Sequence, residues 1–310
     1  MTPQVSIIFT SYNHKEFLEQ ALNSLLNQTF KDFELIIVDD CSTDGSQDVL
    51  KSYNDPRIRL FLNEKNSGSY VKSSNYGASK AVAPYMLFAQ CDDWAEPTQL
   101  ETLMNHMLTH NVGVVYSCSN MVDEGGHLLG TDFDCRIQSF KSLCSSDTII
   151  GKKDAMFFLL DSCIIPNLSA ALIKKSFYDQ LGGLSDNYLV LADWDFWLRM
   201  SLITDFYYIR EPLNNFRQHS TTIRSTIKMK RQLEELFNMF FMIEKAAGLS
   251  KQIVCSYLTT LWLRWRGEGV KQWLILCPHF MLLGTKFSWH FPISIFKKFL
   301  ISNGSTNGTK

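Results

Sequence analysis

Apolar residues in the first hundred positions alternate between two spacings. The run VSIIFT (5–10) has the short, continuous apolar character of a buried parallel strand. Phe17, Leu18, Ala21, Leu22, Leu25 and Leu26 then recur at helical spacing. FELIIVDD (33–40) predicts a second strand, and CSTDGSQDVLKSY a helix that Ser42 or Thr43 can cap. RIRLFL (57–62) reads as a third strand, and a Gly-Ser stretch and a helix containing Tyr76 to Ala81 lead to a fourth, YMLFAQ (85–90). Strands and helices in strict alternation predict an α/β fold, with a parallel, doubly wound sheet and right-handed crossovers.

Beyond this repeat the spacing predicts a helix near 97–110, a strand at 112–119 and a hairpin over MVDEGGHLLG (121–130). Residues 131–165 carry no clear period. LSAALI (168–173) resembles a strand, and KKSFYDQLGGLSD a short helix ending at Gly182-Gly183. LADWDFWLRMSL (191–202) has helical spacing, and DFYYIR and LNNFRQ read as two short strands. From about 228 the composition shifts toward Trp, Phe, Leu and cations. The chain therefore divides into a catalytic-type domain over 1–225, a helical region over 226–300 and a disordered tail over 301–310.

That helical region bears Trp262, Trp265, Trp273 and Trp289 beside Arg264, Arg266, Lys271, Lys286, Lys297 and Lys298. Aromatic residues mixed with cations suit a membrane surface and its anionic headgroups. A helical bundle closing over the first domain, or a homodimer contact, fits the same composition. The longest nearly apolar stretch, WLILCPHFMLL, is broken by Pro278 and His279 and is too short to span a bilayer.

Composition narrows the field further. With 310 residues, 45% of them hydrophobic, the chain can bury a substantial core. A net charge of -1 argues against general nucleic-acid binding, which needs a basic surface. The 8 cysteines form no CxxC pair, as expected of buried thiols in a reducing compartment. MTPQVSIIF enters a strand without a signal-peptide pattern, so the expected location is the cytoplasm, or the inner face of the cell membrane if the tail binds there.

Ligands of such sheets sit beyond the carboxyl ends of the strands. Thr10, Asp39, Asp40, Asp92 and Asp93 all fall there, from three strands. No GxGxxG follows the first strand, so a conventional dinucleotide site is not expected. Thr10 and Tyr12 instead offer a hydroxyl and a ring for a ribose and a base. Asp39 and Asp40 can accept from a pyrimidine N3–H or from ribose hydroxyls, or simply cap a helix. Asp92 and Asp93 can hold Mg2+ or Mn2+ against a nucleoside diphosphate, since such a cation needs only one or two carboxylates, or they can form a turn. Asp193 starts a helix among Trp194, Phe196 and Trp197. It fits a general base with aromatic rings as a sugar platform, or an N-cap beside ordinary core.

Taken in order, VSIIFTSYN, LNQTFKDFELIIVDDCSTDGS, LFLNEKNSG, YMLFAQCDDWAEP, LGGLSDNY and ADWDFWLR resemble the family 2 glycosyltransferases of GT-A fold, across roughly residues 3–220. The resemblance implies a UDP- or dTDP-sugar donor, a divalent cation and inversion at the anomeric carbon. It makes Thr10 and Tyr12 base and ribose contacts, and Asp40, with Asp39 beside it, the carboxylate that reads the pyrimidine. Asp92 and Asp93 become the metal motif, with Asp93 the principal ligand. Asp193 becomes the catalytic base, His219 a residue near the metal and diphosphate, and Lys72 a contact to the diphosphate. His219 and Lys72 equally fit structural roles. Two positions depart from the family pattern: Gln90 where a further Asp is frequent, and Ala192 where a Glu usually precedes the base. The implied acceptor is a glycan or a polyprenyl-linked saccharide in cell-surface polysaccharide synthesis. The departures also leave room for a binding or scaffold protein without turnover.

Overall fold

The computed structural model describes residues 2–219, 228–265, 270–287 and 291. The alternating pattern forms as expected: β1 (Val5–Ser11), α1 (Lys15–Leu26), β2 (Phe33–Asp39), α2 (Ser46–Ser52), β3 (Ile58–Leu62), α3 (Tyr70–Lys80) and β4 (Tyr85–Gln90). The short β5 (Trp94–Ala95), α4 (Gln99–Thr109), β6 (Val114–Val122) and β7 (Leu128–Thr131) follow, then a 3-10 turn at Asp132–Cys135, α5 (Gln138–Leu143), β8 (Thr148–Ile150) and α6 (Lys152–Asp161). A second 3-10 turn (Leu168–Ala170) leads into β9 (Ala171–Lys174), α7 (Lys175–Gln180), α8 (Ala192–Ser201) and the long β10 (Phe206–Arg217).

These strands make one sheet in the order β3-β2-β1-β4-β9-β6-β10-β5, with β7 on β6 and β8 on β10. β3, β2, β1 and β4 are mutually parallel. β9 is inserted antiparallel between β4 and β6, and β10 runs parallel to β6. Two successive reversals restore the original direction, so β4, β6 and β10 all end at one edge of the sheet. The doubly wound expectation therefore holds for the first four strands, and the remainder is mixed. The two short strands expected after α8 are the single β10, with register shifts around Pro212. Proline there cannot donate to the ladder, which breaks the apolar pattern without ending the strand.

Period-two alternation sorts the strand side chains onto two faces. Ile7, Phe9, Leu35 and Ile37 pack with Leu18 and Leu22 of α1 and Leu103 and Met107 of α4. Ile8, Ile36, Val38 and Phe88 face Val71 of α3 and Phe196 and Met200 of α8. α2 is not capped by Ser42 or Thr43. Its cap position is Gly45 at φ +90°, and the Ser42 hydroxyl instead donates to Asp39. Residues 131–165, patternless in sequence, fold around Asp132, which accepts from the Ser119 amide and pairs with Arg136.

Three further helices, Met229–Ala247, Lys251–Trp265 and Val270–Phe287, belong to the same hydrophobic core as α6 and α8. Leu233, Phe237, Phe240, Trp262 and Phe280 are buried there, with the Trp262 and Phe280 rings stacked at 4.2 Å. Arg264 pairs with Asp161 of α6 at 2.8 Å. The region thus packs on α6 and α8, and this packing uses Trp262 and Arg264, two residues that also suited a membrane surface. Among the described residues no helix is long and apolar enough to cross a membrane. Arg266, Trp289, Lys297, Lys298 and the tail 301–310 lie outside the described residues.

α3 approaches the sheet closely because Gly77 lacks a side chain. A Cβ there would stand 2.6 Å from Cγ2 of Ile8 and 3.3 Å from Cγ2 of Val38, both on stiff β-branched side chains. Gly77→Ala is expected to destabilise the fold by about 1–3 kcal/mol despite the better helix propensity of alanine, because overpacking outweighs it. Urea unfolding of the variant measures this, and an unchanged or raised midpoint contradicts the close packing.

Candidate active site

The shared strand edge brings together Thr10 at the end of β1, Asp39 and Asp40 at the end of β2, and Asp92 and Asp93 just beyond β4. β10 ends at the same edge and delivers Arg217 and His219. His219 Nε2 lies 3.0 Å from Asp92 Oδ2, although the two residues are 127 positions apart. The His219 side chain is 1% exposed and that of Asp92 19%, so the carboxylate is the more open member. His14 meets the His219 ring edge-on at 5.3 Å, and its Nδ1 is 3.5 Å from the Cys91 sulfur.

The two aspartates sit in different surroundings. Asp93 is 3% exposed, and both of its oxygens are committed to protein donors. Oδ2 accepts from Asn167 Nδ2 (2.7 Å) and the Ser169 hydroxyl (3.0 Å), and Oδ1 accepts from the Arg217 amide (3.1 Å). Burial, and then the neighbouring Asp92 charge, push its pKa well above the usual carboxylate range. Asp93 thus ties three chain segments together while its Oδ1, with one donor, keeps a second acceptor position; Asp92, at 19% side-chain exposure, is the more open of the pair.

Arg217 makes the same junction rigid. Its guanidinium lies between the rings of Phe17 (4.4 Å) and Trp94 (4.8 Å). It donates to the carbonyls of Asp92 (3.0 Å) and Glu124 (2.5 Å) and to Gln20 Oε1 (2.6 Å). These bonds fix the end of β10 two residues before His219. Sequence reasoning missed Arg217, Asn167 and Ser169. Arg217 stood in the FRQHS motif but had no charged partner nearby in sequence, and the other two lie at an irregular turn.

At the β2 end, Asp39 is wholly buried and accepts from the Ser42 amide (2.9 Å), the Ser42 hydroxyl (2.5 Å) and Gln47 Nε2 (2.9 Å). It shapes the loop that leads from β2 to α2. Asp40 Oδ1 accepts from Asn63 Nδ2 and the Ser67 amide, and Oδ2 from the Ser67 hydroxyl at 2.8 Å. A carboxylate oxygen can take two donors, so Oδ2 retains capacity for a ligand. Thr10 is half-buried beside it, and Tyr12 is 44% exposed at the mouth. Lys72 is exposed, with Nζ 3.4 Å from the Ser67 carbonyl, so in this structure it braces the Gly-Ser loop. Gln90 closes β4 and its amide donates to the Ser169 hydroxyl.

Asp193 is half-buried at the second position of α8, not its N-cap, and its Oδ1 accepts from the Trp194 amide at 2.8 Å. The Tyr70 hydroxyl hydrogen-bonds the Asp193 backbone, and burial followed by the Asp193 charge raises the tyrosine pKa. Phe196 and Trp197 are fully buried core residues, and the Trp194 indole donates to the Leu159 carbonyl. Phe196 and Trp197 therefore cannot form the sugar platform expected from the sequence.

The donor set at the open edge fits a hard divalent cation. Among the described residues no three His, Cys, Asp or Glu side chains converge into a metal cage. Mg2+ or Mn2+ beside a diphosphate needs only one or two carboxylates, which Asp93 and Asp92 could supply, with His219 against Asp92. Asp93→Asn would turn an amide NH2 toward groups that are themselves donors. It is expected to cost about 1–3 kcal/mol. Chemical denaturation reads this, and an unchanged midpoint would show that the carboxylate is not the tie.

With this geometry in view, comparison with known proteins is informative. The family model "Glycosyl transferase family 2" matches residues 6–181. A Bacillus subtilis protein named for teichuronic acid biosynthesis is 34% identical over 48% of this chain, and the match spans 60% of that protein's length. A glycosyltransferase of Haemophilus influenzae is 31% identical over 72% of this chain and 70% of its own. Residues 1–349 of Staphylococcus aureus TarS, solved with UDP-GlcNAc, superpose with a TM-score of 0.72 at 20% identity, covering 93% of this chain and 80% of that one. That likeness shows the fold, a GT-A-type sheet flanked by helices. The ordered motifs along β1 to α8 and the matched family model give one answer: the chain belongs to glycosyltransferase family 2.

Proposed function

We propose that the protein is an inverting, metal-dependent glycosyltransferase. It takes the sugar of a UDP- or dTDP-sugar and passes it to a saccharide or polyprenyl-linked saccharide acceptor in cell-surface polysaccharide synthesis. The observation that carries this reading is the meeting of Asp92 and His219 at the strand edge that also holds Thr10 and Asp40. UDP-GlcNAc bound to the TarS fold and the name of the Bacillus relative support the donor class and the kind of product. A polyprenyl-linked acceptor would be met at the cytoplasmic face of the membrane.

In this reading Thr10, Tyr12 and Asp40 hold the nucleoside, and Asp93 and Asp92, with His219 beside them, would hold the cation. The cation, when bound, neutralises charge on the departing diphosphate. Asp193 accepts the proton of an acceptor hydroxyl, whose oxygen attacks the anomeric carbon as the bond to the diphosphate breaks.

Asp193→Asn is expected to lower kcat by about 10²–10⁴-fold, the usual worth of a general base, while donor affinity by calorimetry stays close to that of the native protein. Native-like turnover in this variant would remove Asp193 from the mechanism. Chelation with EDTA should abolish transfer and added Mn2+ restore it, with His219→Ala needing more Mn2+ for half-maximal rate. Full activity in EDTA would overturn the metal assignment.

A further inference from the structure

The segment entering α8 is held by a residue from outside the matched family region. Glu235, on the helix Met229–Ala247, is 1% exposed. Its Oε1 accepts from the Leu189 amide (2.9 Å), and its Oε2 from those of Val190 (3.0 Å) and Leu191 (3.2 Å). Arg231 Nε completes the set at Oε1, 3.0 Å away. Three successive amides converging on one carboxylate form an anion nest, filled here by the protein's own side chain. Leu191 is the N-cap of α8, and Asp193 is two residues further on.

The other end of this segment is also fixed. Arg199 of α8 donates to the carbonyls of Leu181 and Gly183, each at 2.9 Å. Asn75 holds Leu184 through both its amide nitrogen (2.9 Å) and its oxygen (3.0 Å). Residues 185–188 thus run between two clamps, and only the Glu235 clamp bears directly on the first turn of α8. Ala192, where the family resemblance leads one to expect a glutamate, is 0% exposed. The carboxylate at the head of α8 comes instead from the C-terminal region.

We propose that Glu235 is the positioning residue for the catalytic base: by filling the 189–191 nest it sets where the first turn of α8, and so Asp193, stands. The C-terminal helices are then part of the catalytic apparatus, although Glu235 touches no reacting atom. The inference rests on the reading of Asp193 as base. Glutamine has nearly the same shape but would face part of the nest with an NH2 group, so two donors would oppose each other. Aspartate keeps the charge and falls one methylene short.

The test compares the full-length native protein with Glu235→Gln and Glu235→Asp, by UDP release from UDP-GlcNAc with Mn2+ and by amide hydrogen exchange. Glu235→Gln is expected to lower kcat at least tenfold with donor KM within twofold, and to speed exchange over 189–195 at least tenfold while β1 to β4 stay protected. Glu235→Asp should fall between it and the native protein. Native kcat, a parallel loss of kcat and donor affinity, or unchanged exchange at 189–195 would overturn the proposal. If Glu235→Gln does not fold, the aspartate variant carries the same criteria. Absence of turnover in the native protein would count against UDP-GlcNAc as donor or against the transfer reading. The exchange arm would then still decide whether Glu235 holds the Asp193 turn.

Discussion

One buried carboxylate joins the pieces of this site. Asp93 takes donors from the turn that precedes β9 and from the end of β10, and it sits directly after the strand end that presents Asp92. A buried carboxylate with unmet lone pairs is expensive, and one with all its partners holds several chain segments to a common point. Here that point sets the distance between Asp92 and His219. The adjacent like charges repel, and burial of one of them resolves the conflict by keeping its proton closer at hand. The DD motif is therefore asymmetric in burial, with Asp93 tied into the fold and Asp92 more open.

The same logic of polar groups fixing geometry recurs at α8. The start of a helix leaves several amides without intrahelical partners, and here Glu235 and Tyr70 take up donors that a loop residue would otherwise cap. This gives the C-terminal helices a purpose beyond covering apolar surface. Their aromatic residues extend the core that α6 and α8 begin, and their one deeply buried carboxylate reaches the segment that bears Asp193.

Much of the architecture was legible from spacing. β1 to β4 and their helices appeared as apolar runs and helical stripes, because each is specified by its own local pattern, with β1, β2 and most of β4 buried on both faces. The strand-end location of Thr10, Asp40 and Asp92 followed from that topology. Less legible were the elements that depend on distant partners. The region 131–165 is organised by Asp132 bonding to β6 and Arg136, which leaves no periodic trace. β10 looked like two strands because Pro212 interrupts its ladder. Residues such as Asn167, Ser169, Arg217 and Glu235 gained their roles only from groups tens of positions away.

The sequence by itself determined the fold class, the family and the set of candidate side chains, since periodicity and ordered motifs are local properties of the chain. Only the tertiary structure decided how the work is divided among them. It wrapped Asp39, Asp40 and Asp93 in protein donors, left Asp92 the most open of the four, and placed Phe196 and Trp197 in the core. The reason is physical: a carboxylate's role depends on how many donors reach it and how much water remains. Both are set by segments brought together in space, and adjacency in sequence, as Asp92 and Asp93 show, does not make two residues alike.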